Sequence, residues 1–573
     1  MEVSEASSLL DSKVNVVNDS SSAEAGIIAN NLANEFLRDE DQQDGAGGEV
    51  YGSVASEQLD GEDDDEGYAV PKKKLYIIAG SIFMGSYLSA LDTTVVTTLL
   101  TVISSDLNCL PQSSWIATSY LLSCSAFQPL FGKLSDIFGR KELILLCNFC
   151  FALGCILCGI SGSLFPLIVG RFITGIGGGG MTSLGTVAMS DLVSLRKSAS
   201  GGVLGGLIAD RYGWKWVFIF QVPLALIGLL LIYFFMELPK DSPGRGLQGH
   251  DIWEKLKKVD FLGSSLLVIA LIGILSAASF GGSDIAYDSL FFKVLVATSV
   301  AALVAFCYVE ANIAEQPTLP VRLLANRSVL ACSLANWFFT MGTFSYFYYI
   351  PVWFSSVLGL NSTQTGLRFV PNFFSIAIGS LGSGIYMRKT GRYKNLNICI
   401  GLVSVCGVLR LCFINPSISV IGQYSLTVIP GIGYSSMLTI SLLALISAVT
   451  PEQQASTTSI QYAFRATGST LGVSIGSAIF QKKLYSNLTH NLMENVPIDV
   501  DKSTVLKIIS KAFRSSEYVD KAPEWSKALI RDSYSNACIA TFWWSFITIT
   551  VGYLSGCFIR EYKLHATMKR TNE

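Results

Sequence analysis

Apolar runs of about twenty residues recur along this chain from about Leu75 to residue 559, and short links between them hold most of the charge. At helical rise a run of that length covers about 30 Å, the hydrocarbon thickness of a bilayer. A chain built this way has few folds open to it, because lipid leaves every backbone donor and acceptor to be satisfied within helices or a closed barrel. Runs this long exclude the barrel and point to a bundle of membrane-crossing helices. Composition agrees. Half of the 573 residues are apolar and only 15% are charged, where a soluble chain carries about 25%.

The candidate spans are 75–103, 114–131, 143–162, 164–190, 198–209, 216–236, 261–280, 289–309, 329–354, 366–387, 396–414, 419–448, 456–480 and 537–559. Thirteen are long enough to cross. The fifth is not: its uncharged stretch between Lys197 and Asp210 covers about 18 Å as a helix. A full span and its loop would need about 17 more residues there.

Charge assigns the sides. Residues 1–70 hold 18 acids and two bases, a net of −16, while the remainder nets +14. The acidic, serine-rich region 1–71 has too little apolar surface to offset its ordering entropy and reads as a disordered cytoplasmic tail. Lys72, Lys73 and Lys74 precede the first span, and further bases gather at 133–141, 237–260, 322–327, 388–394 and 560–570. Positive links stay in the cytoplasm, provided that the short fifth segment still changes sides. Links 104–113, 281–288 and 415–418 have no Lys or Arg and fall on the other face. The sequons at Asn361 and Asn487 fall there too, as candidate glycosylation sites. Residues 481–536 carry nine bases yet belong to the same face. The rule is weak for long loops, and a partly ordered extramembrane segment is expected there.

Ionisable side chains inside apolar runs are functional candidates because lipid makes them costly. Asp92, Arg171, Arg410 and Arg465 are the four. Asp92 reads either as a protonatable carboxylate or as an interfacial residue bonded to Thr93 or to nearby backbone. Arg171 heads the glycine-rich stretch Gly170 to Gly180, whose small residues admit a close neighbouring helix. It reads as a partner that tunes a carboxylate, or as a snorkelling residue. Gln461 precedes Arg465 by one helical turn and would share a polar, cavity-lining face with it. Arg410 lies near a span end, where snorkelling explains it. The thirteen cysteines lie mostly inside apolar runs without His or carboxylate beside them, so no metal site is expected. No Gly-x-x-x-x-Gly-Lys-Ser/Thr loop occurs, which argues against an ATP-driven pump. No cofactor and no nucleic-acid partner is expected.

Gly132-Lys133-Leu134-Ser135-Asp136-Ile137-Phe138-Gly139-Arg140-Lys141 is a tight turn between two spans. Asp136 is placed to cap the next helix or to pair with Arg140, which would gate the bundle. A weaker relative recurs at Arg388-Lys389-Thr390-Gly391-Arg392-Tyr393-Lys394, as in an internally duplicated bundle. The first turn resembles the signature loop of the major facilitator superfamily. Leu91 to Val96 and Gly170 to Gly180 resemble first-span and fourth-span motifs of its 14-span drug:proton antiporter branch. Trp115 to Leu122, Ala126 to Phe131 and Asp191 to Arg196 are most similar to fungal vacuolar basic amino acid transporters.

The resemblance covers about residues 72–560. It implies an all-α polytopic fold with one six-helix bundle at 72–236, a linker with two extra spans at 237–328, a second bundle at 329–560 that includes the loop 481–536, and a cytoplasmic tail at 561–573. It also implies a monomer that imports Lys, Arg or His into the vacuole against protons, with Asp92, Arg171, Gln461 and Arg465 coupling substrate to proton and Gly132, Asp136, Gly139, Arg140 and Lys141 gating. Glu5, Leu9 and Leu10 resemble an acidic dileucine signal read by a sorting adaptor. The fifth span departs from the family: its long glycine-rich motif is reduced to Gly201 to Gly206, which puts transport itself at issue. Two alternatives stay open. One is a plasma-membrane multidrug:proton exporter with an aromatic cavity drawn from Phe338, Phe339, Phe344, Tyr346, Phe347, Tyr348 and Tyr349. The other is a non-transporting nutrient sensor.

Overall fold

The computed structural model describes residues 72–190, 211–236, 260–280, 288–313, 321–449, 451–497, 500–516 and 518–562. The acidic tail, the sorting motif Glu5/Leu9/Leu10, the stretch Asp191 to Arg196, the short segment 198–209 and the last residues of the C-terminal tail lie outside them.

The described residues are helical throughout, with no strand. In order they are α1 (Lys72–Asp106), α2 (Ser114–Phe138), α3 (Arg140–Ile160), α4 (Leu164–Ser190), α5 (Trp214–Phe235), α6 (Phe261–Phe280), α7 (Leu290–Asn312), α8 (Arg327–Leu358), α9 (Ser362–Thr390), α10 (Lys394–Cys412), α11 (Val420–Tyr424), α12 (Val428–Ile446), α13 (Pro451–Glu494), α14 (Lys502–Arg514), α15 (Tyr518–Lys521) and α16 (Glu524–Cys557). Ten helical spans among them are long and apolar enough to cross a membrane by length and composition. α2, α8 and α13 are not among those ten.

Helices α1–α5 pack into one group, and α8, α9, α10, α12, α13 and α16 into a second. The hairpin α6–α7 lies against α2 and α13, and α2 and α13 also meet directly between the groups. Small residues set the close approaches. A methyl group added at Gly175 would strike the Tyr120 carbonyl of α2, and one at Gly177 would strike Cys147 and Phe151 of α3. Gly468 and Gly472 bring α13 onto the backbone of α8 in the same way.

The helices run between two ends. One carries the turn at Gly139, the turn at Gly391 and Arg560; the other carries Asp106 and Leu110. α4 finishes at the Gly139 end, where Met181 and Leu184 share a core with Ile82, Leu143 and Ile144. α5 begins at the opposite end, where the Trp214 indole donates to Asp106 at 3.1 Å. Ser190 and Trp214 therefore lie at opposite ends.

The span expected at 419–448 is present at Val420–Ile446, with a turn between Tyr424 and Val428. Two sequence expectations need correction. The span at 456–480 is the middle of the 44-residue helix α13, so Asn487 sits within a helix rather than in a loop. The segment 481–536 is mostly helical: α13 runs on to Glu494, α14 and α15 follow, and α16 starts at Glu524.

Candidate functional site

The most buried charges of the described membrane helices form one pair. Arg171 Nη1 lies 2.5 Å from Asp92 Oδ2, with neither side chain exposed. α1 and α4 come together closely enough because Gly178 of α4 has no side chain to strike Tyr120 and Ser89. The guanidinium is held from three further directions. Its Nε donates to the Ile116 carbonyl at 3.0 Å, its carbon lies 4.5 Å from the centre of the Tyr120 ring, and it lies 5.9 Å from that of Phe218. Each ring face adds cation–π attraction to a charge that lipid would otherwise expel. Ser89 Oγ and Tyr120 Oη share a hydrogen bond of 2.8 Å, which fixes the ring.

The pair is not saturated. Asp92 Oδ1 and Arg171 Nη2 have no hydrogen-bond partner among the described residues. Gln221 of α5 turns its side-chain amide toward the carboxylate, while Tyr348 of α8 faces Thr97 and the ion pair from the other helix group. Arginine stays protonated in proteins, so the carboxylate is the member of the pair that can take up a proton. A proton on Asp92 would leave the guanidinium without its counter-charge inside a sealed core.

Thr93 and Thr94, next to Asp92 in sequence, line a small cavity between the groups with Thr343, Phe344, Tyr346, Phe347, Asn372, Phe373, Ile376, Gly431 and Tyr434. Its volume is about 30 Å³, room for about one water. Three of the seven aromatics named from sequence, Phe344, Tyr346 and Phe347, face it, and no ionisable carboxylate does.

The other sequence candidates lie elsewhere. Gln461 is 6% exposed and donates to Ser441 Oγ at 3.0 Å, beside Asn336, which donates to the same oxygen at 2.7 Å. Arg465 is half-buried on α13 and its charge reaches Tyr462. Neither meets the Asp92 pair. Arg410 is exposed and donates to Ser425 Oγ at 2.9 Å, closing the break after α11. Gly132 and Asp136 lie in the last turns of α2. Gly139, at φ 106°, is the N-cap of α3, and the side chain of Asp136 lies outside the described ones. Arg140 is 7% exposed, and Lys141 Nζ lies 5.8 Å from the Tyr233 ring centre. Gly391 closes the second turn at φ 62°. Asn361 is the N-cap of α9 in a reciprocal capping box with Gln364, which gives this residue a structural purpose of its own. No group of three metal-binding side chains occurs among the described residues.

Sequence reasoning missed Gln221, Tyr120 and Ser89, and named Tyr348 only among the candidate cavity aromatics. Gln221 carried a signal, as a polar residue in the middle of an apolar run. Tyr120 and Ser89 resemble ordinary helix-packing residues until their partners are known.

The geometry can now be set beside known proteins. The Major Facilitator Superfamily model matches residues 82–200 and 198–473, two pieces that meet at the shortened fifth segment. The chain is 34% identical over 521 residues to the multidrug resistance protein fnx1 of Schizosaccharomyces pombe, covering 87% of this chain and 94% of fnx1. It is 33% identical over 492 residues to the vacuolar membrane amino acid uptake transporter fnx2 of the same yeast, covering 82% and 81%. A solved bacterial homologue of the human lysosomal transporter Spinster, inward-facing and unoccupied, is similar in fold, with a TM-score of 0.50 at 14% identity over 86% of this chain and 98% of that one. The chain is a multi-pass membrane transporter rather than an enzyme, and it belongs to the major facilitator superfamily.

Proposed function

We propose that the protein exchanges protons for basic amino acids across the vacuolar membrane. The observation that carries this reading is the sealed Asp92–Arg171 pair, one helix face away from the cavity between the two groups. Asp92 is the proton carrier. The substrate's cation does not take its place, because Arg171 already neutralises the carboxylate through Oδ2 inside a buried site. The substrate is held between the groups, where the faces of Phe344, Tyr346, Phe347 and Tyr434 receive a cationic head and Asn372 supplies polar contacts. A cavity of about 30 Å³ is too small for an amino acid, so loading requires the groups to separate. Similarity to fnx2 supports the amino acid class and the vacuole.

The aromatic lining and the similarity to fnx1 favour a second reading, a multidrug:proton exporter. Uptake of radiolabelled lysine into vacuolar vesicles, with and without a proton gradient, separates the two. Gradient-dependent uptake that disappears in Asp92→Asn supports the first reading. Drug resistance without lysine uptake supports the second. Loss of both, with nutrient signalling intact, would instead favour a non-transporting sensor, the outcome most compatible with a shortened fifth span. Further proposals are N-glycans at Asn361 and Asn487, adaptor-dependent sorting through Glu5, Leu9 and Leu10, and a monomeric state.

A further inference from the structure

The two ends of the molecule are packed differently. At the Gly139 end each helix group has its own apolar core: Ile82, Leu143, Ile144 and Met181 in the first, and Ala331, Met387, Tyr393 and Ile440 in the second. At the Asp106 end one continuous core runs through both groups. Leu99, Ile103 and Leu110 of the first share it with Ile350, Trp353, Val505, Ile508 and Ile509 of the second. The residues that complete it come from the lobe formed by the end of α13, α14, α15 and the start of α16.

That lobe is fastened unequally. It is tied to the second group by Tyr534 Oη donating to the Ala512 carbonyl at 2.7 Å and by Asn491 Nδ2 donating to Ser533 Oγ at 3.1 Å. Val505, Ile508, Ile509 and Ala512 form its buried apolar side. It is joined to the first group by the shared apolar core, by a side-chain hydrogen bond between Ser105 Oγ and Ser516 Oγ at 3.1 Å, and by contact of α14 with the short 3₁₀ helix Leu110–Gln112. A cavity of about 470 Å³ interrupts that contact, walled by Asn108, Cys109 and Gln112 on one side and by Ile509, Ser510 and Phe513 on the other. A seam that is part apolar, part polar and part hollow separates with less loss of contact than a wholly filled one.

We infer that this lobe is a latch. It moves as part of the second helix group and closes the transport path at the Asp106 end by seating α14 on the 107–113 connector of the first. The closed latch is the state described here, and release at the Ser105–Ser516 seam opens that end. This rests on the transporter reading but not on the substrate.

The test places Ser105→Cys and Ser516→Cys in a Cys109→Ser background of the full-length protein in vesicles. Cross-linking with copper phenanthroline is expected to go to completion and to lower lysine uptake at least about tenfold, with recovery after dithiothreitol. A second readout does not depend on substrate. Thr94→Cys, which lines the central cavity, is labelled by a membrane-impermeant maleimide applied from the Asp106 side, and the modified peptide is measured by mass spectrometry. The cross-link is expected to slow this labelling at least about tenfold and to leave labelling from the Gly139 side undiminished. Equal labelling of cross-linked and reduced protein from the Asp106 side overturns the latch whatever is transported. So does full uptake by cross-linked protein. Gated labelling without lysine uptake keeps the latch and rejects the substrate.

Discussion

Asp92 Oδ2 and Arg171 Nη1 stand 2.5 Å apart, 79 residues apart in sequence and with neither side chain exposed. Removing one partner strands the other. Asp92→Asn or Arg171→Gln alone should cost about 3–5 kcal/mol, because each leaves a buried group uncompensated. The double substitution Asp92→Asn with Arg171→Gln should recover much of that stability without restoring gradient-dependent uptake. Thermal unfolding and vesicle uptake of all three variants check this. A double variant that transports normally would make the pair a packing device.

The helix contacts of α4 predict an asymmetry among glycines. Gly175→Ala and Gly177→Ala force a methyl group against the backbone of α2 and α3 and should each destabilise by about 1–3 kcal/mol. Gly382 lies in α9 with open space where its Cβ would be. Gly382→Ala should be neutral or stabilising by up to about 1 kcal/mol. Melting temperatures in detergent decide this.

The two related turns should differ in their tolerance of asparagine. Gly391 is in the left-handed helical region at φ 62° and ψ 11°, which asparagine enters readily. Gly139 is at φ 106° and ψ 145°, a region that costs a side chain about 1–3 kcal/mol. Gly391→Asn should therefore retain transport and stability, while Gly139→Asn loses both. Matching losses in the two variants would contradict the turn geometry.

Arg410 should be replaceable. Its hydrogen bonds to the break after α11 lie at an exposed surface, so Arg410→Gln should change stability by no more than about 0.5 kcal/mol and leave uptake near the parent level. A loss as large as that of Arg171→Gln would assign it a mechanistic role that its position does not suggest.

Cys109, in the connector between α1 and α2, supplies a pH test. Burial pushes its thiol up to about 11 from an ordinary value of 9.0. The folded protein thus holds this proton where the unfolded chain has lost it. The associated stability is present below about pH 9 and is lost as pH rises toward 11. Alkylation of Cys109 should be slow near pH 7 and should accelerate toward pH 11, followed by mass spectrometry of the 105–115 peptide. Rapid modification at pH 7 would place this thiol in solvent.

The sequence exposed the unusual residues of the site but not their relations. Asp92 and Arg171 stood out because each is a charge inside an apolar run. Arg410 and Arg465 stood out by the same rule, yet one closes an exposed turn and the other stays on α13 without reaching the pair. Hydropathy reports that a charge is in the membrane, not which helix it faces. Gln221 was visible as a polar residue in an apolar run, whereas Tyr120 and Ser89 look like hundreds of other packing residues. The break after Tyr424 was hidden because an apolar run reads the same whether or not its helix is continuous.

The order of membrane-length apolar runs and the placing of basic links fixed a polytopic helical bundle, since a bilayer leaves backbone polar groups no partners outside the helix itself. Tertiary structure alone decided which charges meet, that a sealed ion pair sits within the first helix group, and that the extramembrane lobe joins both groups at one end. Those facts depend on distances between residues dozens to hundreds of positions apart, and only close packing of small residues along α4 and α13 brings them within reach.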